Sequence, residues 1–274
     1  MSRRMAILFC LVAFSPAGAL AQDAPARAGY ELNQGVAAYR DSHYLEAIEH
    51  FTLAIRLDPN LLAAHLYLAT TYASQYVPGV ETPDNLRLAT AAIDQYSEVL
   101  KRQPESVDSL KGIAYVYMQL RKFEDAHEFF LRALRQDPKD PELYFSVAVM
   151  DWTEVYRTIA QERAAMNLKP SQSFIFDNRC RELRAKNLGV VEEGMTMLTK
   201  SISLRQNYDD AMVYLNLLYR SRAELECGNP EAWRSDEDRA NDWSDLAMAT
   251  RKKKMEAEQQ ENRKAETPTG HDLR

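Results

Sequence analysis

Glycine and proline are scarce in this sequence. The 274-residue chain has only 9 Gly and 11 Pro, and Ala, Leu, Glu, Gln, Lys and Arg are abundant. Because Gly and Pro interrupt helices while the abundant residues favour them, this balance predicts an all-α fold. The length by itself allows one large domain or two ordinary ones.

The motifs of common enzyme classes are also missing. The sequence has no Gly-rich phosphate loop, no His-Glu-x-x-His, no Cys-x-x-Cys and no Gly-x-Ser-x-Gly. His50, His65 and His127 have no clustered partners, so none is predicted to bind a metal or act as a base. We therefore predict no enzyme, no cofactor and no metal site. A catalytic site built from an insertion at residues 153–190 with Cys180 is the less favoured alternative, because no nucleophile–base pair can be named.

The apolar run near the N-terminus is too short to span a membrane. Arg3 and Arg4 precede an apolar run over residues 5–14, and the small residues Ala19 and Ala21 precede a polar segment. A spanning helix needs about 20 apolar residues, so this layout favours a signal peptide over an anchor. We predict cleavage after Ala21, a secreted or periplasmic protein, and no transmembrane segment in the mature chain.

A surplus of positive charge is absent as well. Without residues 1–21 the chain has 32 basic and 40 acidic residues, a net charge of −8. Nucleic-acid binding needs a concentrated positive face, so no nucleic-acid partner is predicted. The mature chain keeps Cys180 and Cys227, which would lie in an oxidising compartment. The sequence leaves open whether these two cysteines pair, because it gives no distance between them.

An internal repeat of 34 residues is present. Ala92 and Ala126 are separated by 34 residues, as are Tyr96 and Phe130, whereas Ala47 and Ala92 are separated by 45. An interval of 45 corresponds to one repeat with 11 inserted residues. We assign the insertion to residues 75–85, which contain two Pro and one Gly and are predicted to form a long loop between two helices.

Small and large apolar residues recur at fixed places in each repeat. The third repeat shows this best, with Leu110, Ile113, Ala114 and Tyr117 in its first helix and Ala126, Phe130 and Ala133 in its second, before Asp137–Pro138. This pattern resembles the tetratricopeptide repeat family. The resemblance implies a solenoid of about four to five helical hairpins over residues 28–249, with an inserted loop, an inserted helix and a C-terminal helix.

The pattern weakens after residue 140. Ala126 and Gly194 are 68 residues apart, so residues 141–208 hold either one repeat with an insertion at about 153–190 or two degenerate repeats; we favour the insertion. A last repeat begins at Asp209, with its second helix within about 231–249. Residues 250–274 are predicted to be a charged, partly disordered tail. Its basic run 251–254 is interpreted as a solvated helix face, with an acidic partner or a membrane surface as the alternative.

The resemblance implies a binding groove formed mostly by the first helices of the repeats. Counting along each repeat places eleven residues on or near this groove: Tyr39, Arg40, Leu66, Tyr67, Thr70, Lys111, Tyr115, Met118, Phe145, Val149 and Trp152. Aromatic residues, Met and a few cations suit a peptide or a partner helix. The alternative is that the inserted helix, near residues 174–187, fills the groove from within.

The predicted function is that of an exported scaffold or adaptor that binds a protein or peptide partner, whose identity the sequence does not give. Some family members bind acidic C-terminal tails through a clamp of Lys, Asn and Arg. That activity is not carried over, because Tyr67 and Gly112 occupy related positions here. The alternative function is a structural subunit of a cell-envelope assembly.

Overall fold

The computed structural model describes residues 23–169 and 178–266. The predicted signal peptide and residues 267–274 of the tail lie outside this part of the chain. Within it the secondary structure is entirely helical, which confirms the predicted all-α fold. The described residues form two compact units, one ending at Pro104 and the other beginning at Glu105.

The first unit contains the helices α1 to α4 and the second contains α5 to α10. Their bounds are α1 Ala24–Arg40, α2 Tyr44–Leu57, α3 Leu62–Gln75, α4 Pro83–Arg102, α5 Val107–Gln119, α6 Phe123–Gln136, α7 Pro141–Ala165, α8 Asn178–Leu204, α9 Asp209–Glu224 and α10 Pro230–Glu266. Among these helices, none is both long enough and apolar enough to cross a membrane.

Side-chain caps define where several helices begin. Thr82, Ser106 and Asp140 precede α4, α5 and α7, and the side-chain oxygen of each accepts a hydrogen bond from a backbone N–H of the first turn. Pro83 and Pro141 follow two of these caps. Proline suits the first helical position because the N–H that it lacks would have no partner there.

The first unit is built from two antiparallel helix pairs, α1 with α2 and α3 with α4, and α2 also packs against α3. Apolar residues three and four apart in α2 form one buried stripe of Ala47, Phe51 and Ala54. Phe51 packs with Ala38 and Leu68 in the core of this unit. The small residues expected at the helix crossings therefore lie inside.

The insertion of the second repeat forms a shorter loop than predicted. Helix α3 ends at Gln75 and α4 begins at Pro83, so the end of the predicted 75–85 loop is the first turn of α4. Asn85 is buried, and its amide nitrogen donates to the carbonyls of Val77 and Val80 at 2.8 and 2.7 Å. Its amide oxygen accepts from Val77 N–H at 2.9 Å. One side chain thus fixes the loop.

The second unit contains three antiparallel pairs, α5 with α6, α7 with α8, and α9 with α10. Helix α9 contacts both α7 and α8. The main hydrophobic core of this unit includes Val155, Leu183, Val191, Leu198 and Leu215.

The insertion near residues 153–190 lengthens two helices. Helix α7 has 25 residues and α8 has 27. Residues 178–187 are the first turns of α8, so the expected inserted helix near 174–187 is not a separate element in the part of the chain that the structure describes. A helix can absorb inserted residues in this way because each added residue continues the same hydrogen-bond ladder.

The extended end of this long hairpin is tied to the end of α9. Cys180 and Cys227 form a disulfide with their Cα atoms 5.6 Å apart. Arg163 of α7 donates to Glu224 at 2.6 Å, and Arg184 of α8 donates to the carbonyl of Leu225 at 3.0 Å. The pairing that the sequence left open is therefore present, and it closes a segment with a sequence separation of 47.

Helix α10 is longer than the second helix predicted at 231–249. It has 37 residues and continues to Glu266, so residues 250–266 of the predicted tail are helical. Arg222 of α9 binds Asp236 of α10 through two of its nitrogens at 2.5 to 3.1 Å. This ion pair, whose carboxylate is buried, fixes the first half of α10 against α9.

Candidate functional site

The predicted groove residues of the first unit lie on α1 and α3. Tyr67 is 37% exposed, and its ring stacks on that of the buried Phe51 with centroids 5.6 Å apart. Arg40 is exposed and Leu66 is half-buried. Tyr67 therefore contributes to the core of this unit as well as to its surface.

Hydrogen bonds fix two further residues of this surface. The Tyr39 hydroxyl lies 3.2 Å from Ser74 Oγ, which joins α1 to α3. Thr70 donates to the carbonyl of Leu66 at 2.9 Å, and its Oγ1 lies 3.1 Å from the hydroxyl of Tyr96 on α4. The surface is thus held in one arrangement before any partner binds, which lowers the entropy cost of binding.

In the second unit, three predicted groove residues lie on α5. Lys111 donates to Asp140 Oδ2 at 2.6 Å, so its charge is used to fix the start of α7. Tyr115 is 52% exposed, and Met118 is half-buried beyond it. Tyr115 is the aromatic residue among these three, and its exposed ring is open to contact.

The remaining predicted residues, Phe145, Val149 and Trp152, lie half-buried on α7. The ring of Tyr214 on α9 lies edge-on to Phe145 at 5.4 Å and to Trp152 at 5.3 Å. Trp152 also stacks with Tyr156 at 5.1 Å, and Phe145 lies 5.0 Å from Tyr208. These five rings form an aromatic cluster between α7 and α9.

Tyr214 is a member of this cluster that the sequence analysis missed. Tyr214 takes the same place in its repeat as Tyr67 does in an earlier one. Intervals of 45, 34 and 68 residues lead from Tyr67 to Gly112, from Gly112 to Ser146, and from Ser146 to Tyr214. Applying the register once more to the last repeat would have placed Tyr214 beside the predicted groove residues. Tyr208 and Tyr156 carry no such signal, because they lie outside the regular first-helix positions.

The aromatic cluster also bears on the alternative that the insertion fills the groove. The rings against Phe145 and Trp152 belong to Tyr208, Tyr214 and Tyr156, whereas the first turns of α8 are tied to Leu225 and Cys227. Rings of α7 and α9 and of Tyr208, which precedes α9, therefore cover this part of the predicted groove.

Two titratable side chains near the cluster, Tyr208 and Asp151, differ in their hydrogen bonding. Burial and a hydrogen bond to Glu142 raise the pKa of Tyr208, so its hydroxyl stays protonated and donates to that carboxylate. Asp151 on α7 is buried against Gly194 of α8, and its Oδ2 has no hydrogen-bond partner. Burial, with Glu193 and Glu154 nearby, raises the pKa of Asp151 to about 7.

The three histidines considered in the sequence have structural contacts. His65 is buried, with Nδ1 2.8 Å from Gln95 Oε1 and Nε2 3.3 Å from the carbonyl of Pro59. His50 Nδ1 lies 2.7 Å from Glu31, and His127 lies 3.9 Å from Glu193. No group of three or more His, Cys, Asp or Glu side chains suited to a metal ion occurs in the described ranges. The predicted surfaces offer rings and hydroxyls, which suit binding.

Comparison with known proteins supports the repeat assignment. Residues 85–141 match the sequence model of the tetratricopeptide repeat family. No curated protein matches the chain. Among solved structures, a MamA crystal structure is 13% identical with a TM-score of 0.55, over 86% of this chain and 96% of MamA. MamA from Desulfovibrio magneticus RS-1 is 13% identical with a TM-score of 0.56, over 83% and 96%.

A third similar structure is that of YrrB, described as a TPR protein with an unusual peptide-binding site. It is 15% identical with a TM-score of 0.51, over 81% of this chain and 90% of YrrB. At these identities the likeness shows the fold. Together, the all-helical hairpins, the 34-residue spacing and the match at residues 85–141 define a helical repeat protein. Residues 85–141 are thus recognised as tetratricopeptide repeat sequence, within a chain that has the fold of a tetratricopeptide-repeat solenoid.

Proposed function

We propose that this protein is an exported adaptor that binds a protein or peptide partner through the surfaces of its first helices. The family fold is that of a protein-interaction scaffold, and YrrB, which shares it, has a peptide-binding site according to its description. The proposal concerns the surface of each unit, since both contribute residues to the predicted groove.

The exposed ring of Tyr115 is the observation that carries this proposal. It lies on α5, inside the residues that match the family model, and is 52% exposed. The main-chain position is fixed by its buried neighbours Ile113, Ala114 and Val116. A rigid, exposed tyrosine suits a binding surface because it offers large contact area at low conformational cost.

Export is proposed on two grounds. The first is the signal-peptide pattern of residues 1–21. The second is the Cys180–Cys227 disulfide, since such bonds persist in oxidising compartments and are rare where thiols are kept reduced.

Affinity capture from the cell-envelope fraction tests the binding surface. The bait is the chain from residue 22 to 274, compared with Tyr115→Ala. We expect Tyr115→Ala to keep the wild-type melting temperature within a few degrees and to lose partners that the wild type recovers. Tyr67→Ala is a poorer choice of variant, because removing the ring that stacks on Phe51 will also lower stability.

A matched control uses an exposed tyrosine outside the predicted groove. Tyr30 on α1 is 61% exposed, so Tyr30→Ala removes a similar ring without touching that surface. Partners that are lost with Tyr115→Ala and kept with Tyr30→Ala support the proposal. Equal recovery with both variants would argue against it.

Export has its own test. A tagged full chain should appear in the periplasm or the medium with Gln22 as its first residue, and deletion of residues 1–21 should keep it in the cytoplasm. Recovery of the full-length chain in the cytoplasm alone would contradict export without affecting the binding proposal.

A further inference from the structure

Helix α10 extends beyond the helix with which it is paired. It has 37 residues, whereas α9 has 16. Lys254 binds Asp209, the first residue of α9, so residues 255–266 run past its end. At 1.5 Å per residue this extension is about 18 Å long. Such a length is not needed to close the last hairpin.

Ion pairs to α9 show which side of α10 is already occupied. Asp236 binds Arg222, and Lys254 binds Asp209. Ala240 and Ala247 are buried between these pairs. Residues 236, 240, 247 and 254 are separated by 4, 7 and 7 residues, which is about one or two helical turns. They therefore share one face of α10. Glu237, Asn241 and Arg251 make further contacts with α9 beside this face, whereas Met248 and Met255 lie exposed on the flank described next.

An apolar stripe lies on one flank of α10. Met248 is 62% exposed and Met255 is 54% exposed. Both line a groove with Val213 and Asn216 of α9. Lys252 lines the same groove between the two methionines. We call Met248, Lys252 and Met255, with the exposed Asp245 one turn before them, the α10 stripe. Exposed apolar side chains in a groove mark an interaction surface.

The groove has the geometry of a helix acceptor. Within this unit α9 packs against both members of the preceding pair, α7 and α8. The groove between α9 and α10 is the equivalent place on the last pair. Its occupant should therefore be a helix, which lies along α10 and covers the methionines.

Two copies of α10 that lie antiparallel would place acidic residues of one helix beside basic residues of the other in the middle of the helix. Residues 241–249 contain Asp242 and Asp245 and no base, whereas residues 250–255 contain four consecutive bases, 251–254. Lys252 also lies 3.9 Å from Glu256 on the next turn, an exposed pair that contributes little. If a second α10 runs antiparallel with a two-fold axis beside Met248, Asp245 of each copy faces Lys252 of the other. The two Met248 side chains then meet at the axis. Pairs related by a two-fold axis form twice, which doubles their effect.

We propose that two copies of this chain associate through the α10 stripe, with the helices antiparallel and Asp245 of each copy paired with Lys252 of the other. This surface differs from that of Tyr115, so the inference does not rest on the proposed function. Tyr115→Ala should leave the association unchanged, and loss of one activity is therefore distinguishable from loss of the other.

Sedimentation equilibrium of residues 22–274 tests the proposal. We expect a monomer–dimer equilibrium for the wild type. Asp245→Lys and Lys252→Asp should each weaken the dimer at least tenfold, since each places two like-charged pairs across the axis. The combined variant Asp245→Lys/Lys252→Asp restores opposite charges and should recover the dimer. Restoration by a double swap is specific to direct pairing.

Two controls separate the stripe from general changes in charge and apolar area. Lys253→Asp makes the same charge change one residue along the helix, on another face, and should leave the dimer intact. Met248→Ser should weaken the dimer, whereas Leu246→Ser, which also changes an exposed apolar residue, should not. Circular dichroism should show unchanged helix content in all variants.

Three results would overturn the proposal. The first is a wild type that stays monomeric at the highest soluble concentration. The second is a dimer that resists Asp245→Lys and Lys252→Asp. The third is a double swap that fails to recover a dimer although both single variants weaken it and all three are folded. A wild-type monomer that binds an unrelated helix at Met248 would assign the groove to another partner instead.

Discussion

Gly35 of α1 lies directly against the ring of Phe51 in α2. A Cβ atom added at Gly35 would lie 2.5 Å from Cε1 and 2.6 Å from Cδ1 of that ring. Phe51 is fully buried, so the ring has no free space into which it can move. The small residue at this position of the first repeat is therefore required by the approach of two helices.

We predict that Gly35→Ala lowers the free energy of unfolding by about 1 to 3 kcal/mol through overpacking. The measurement is urea denaturation of the purified chain. Gly29→Ala in the same helix is the control, because nothing lies within 4 Å of its added Cβ. That variant should stabilise α1 by up to about 1 kcal/mol. Similar effects of the two variants would contradict the packing described for Gly35.

Protonation of Asp151 should make stability depend on pH. Its pKa is about 7 in the folded protein, against an ordinary value of 3.8. The folded state then binds the proton more tightly than the unfolded chain, so the free energy of unfolding falls as pH rises from about 4 to about 7. The loss is about 2 to 4 kcal/mol, at about 1.4 kcal/mol per pKa unit.

Asp151→Asn should remove this dependence, because the amide keeps the shape of the carboxyl and does not ionise. Urea midpoints at pH 5 and pH 8 measure the difference for both proteins. We expect a clear fall for the wild type between the two pH values and a smaller fall for the variant. Equal falls would show that other groups cause the pH dependence.

Asp209 should act in the opposite direction. Burial alone would raise its pKa, but hydrogen bonds from Lys254 and Arg251 outweigh burial and hold the pKa of Asp209 below 3.8. Its ionised form therefore stabilises the fold, and this contribution is present above about pH 4 and is lost as pH falls below the folded-state pKa.

We expect Asp209→Asn to cost about 1 to 2 kcal/mol at pH 7, because Lys254 loses its carboxylate partner and Arg251 keeps only Asp210. Asp210→Asn is the matched control. Asp210 is exposed and binds Arg251 alone, so its loss should cost less than about 0.5 kcal/mol. Thermal melts at pH 7 compare the two variants. A larger effect at Asp210 would refute this arrangement.

The disulfide should account for a measurable part of the stability of the second unit. Closing a loop of this size stabilises a fold by about 2 to 4 kcal/mol, mainly by restricting the unfolded chain. A reductant should lower the melting temperature of the wild type. Cys180→Ser/Cys227→Ser should melt at that lower temperature with or without reductant. A wild type insensitive to reductant while its thiols become accessible would contradict the prediction.

The repeat spacing predicted the helices and their crossings well. Ala47, Phe51, Ala126 and Phe130 are buried as the pattern required, because residues three and four apart share one helix face. The spacing could not show that the 153–190 insertion would lengthen α7 and α8. An interval between repeats counts residues, but it does not say whether they form a loop, a new helix or more turns of an existing one.

The candidate surface was harder to predict than the fold. Counting along the repeats gives the direction of a side chain but not its neighbours. Lys111 binds Asp140 and Trp152 packs against Tyr214, so neither is as free as its position suggested. These contacts join residues of different helices, and their distances depend on the packing of helices rather than on spacing within one.

The Cys180–Cys227 bond also limits how far the chain can be stretched. The sequence separation of the two cysteines is 47, and a fully extended chain spans about 3.4 Å per residue. If force were applied to the two ends of the molecule, complete unfolding would lengthen it by roughly 160 Å less than it would after reduction. The last hairpin and the long hairpin before it would therefore remain linked to each other under tension, even after their helices had unravelled.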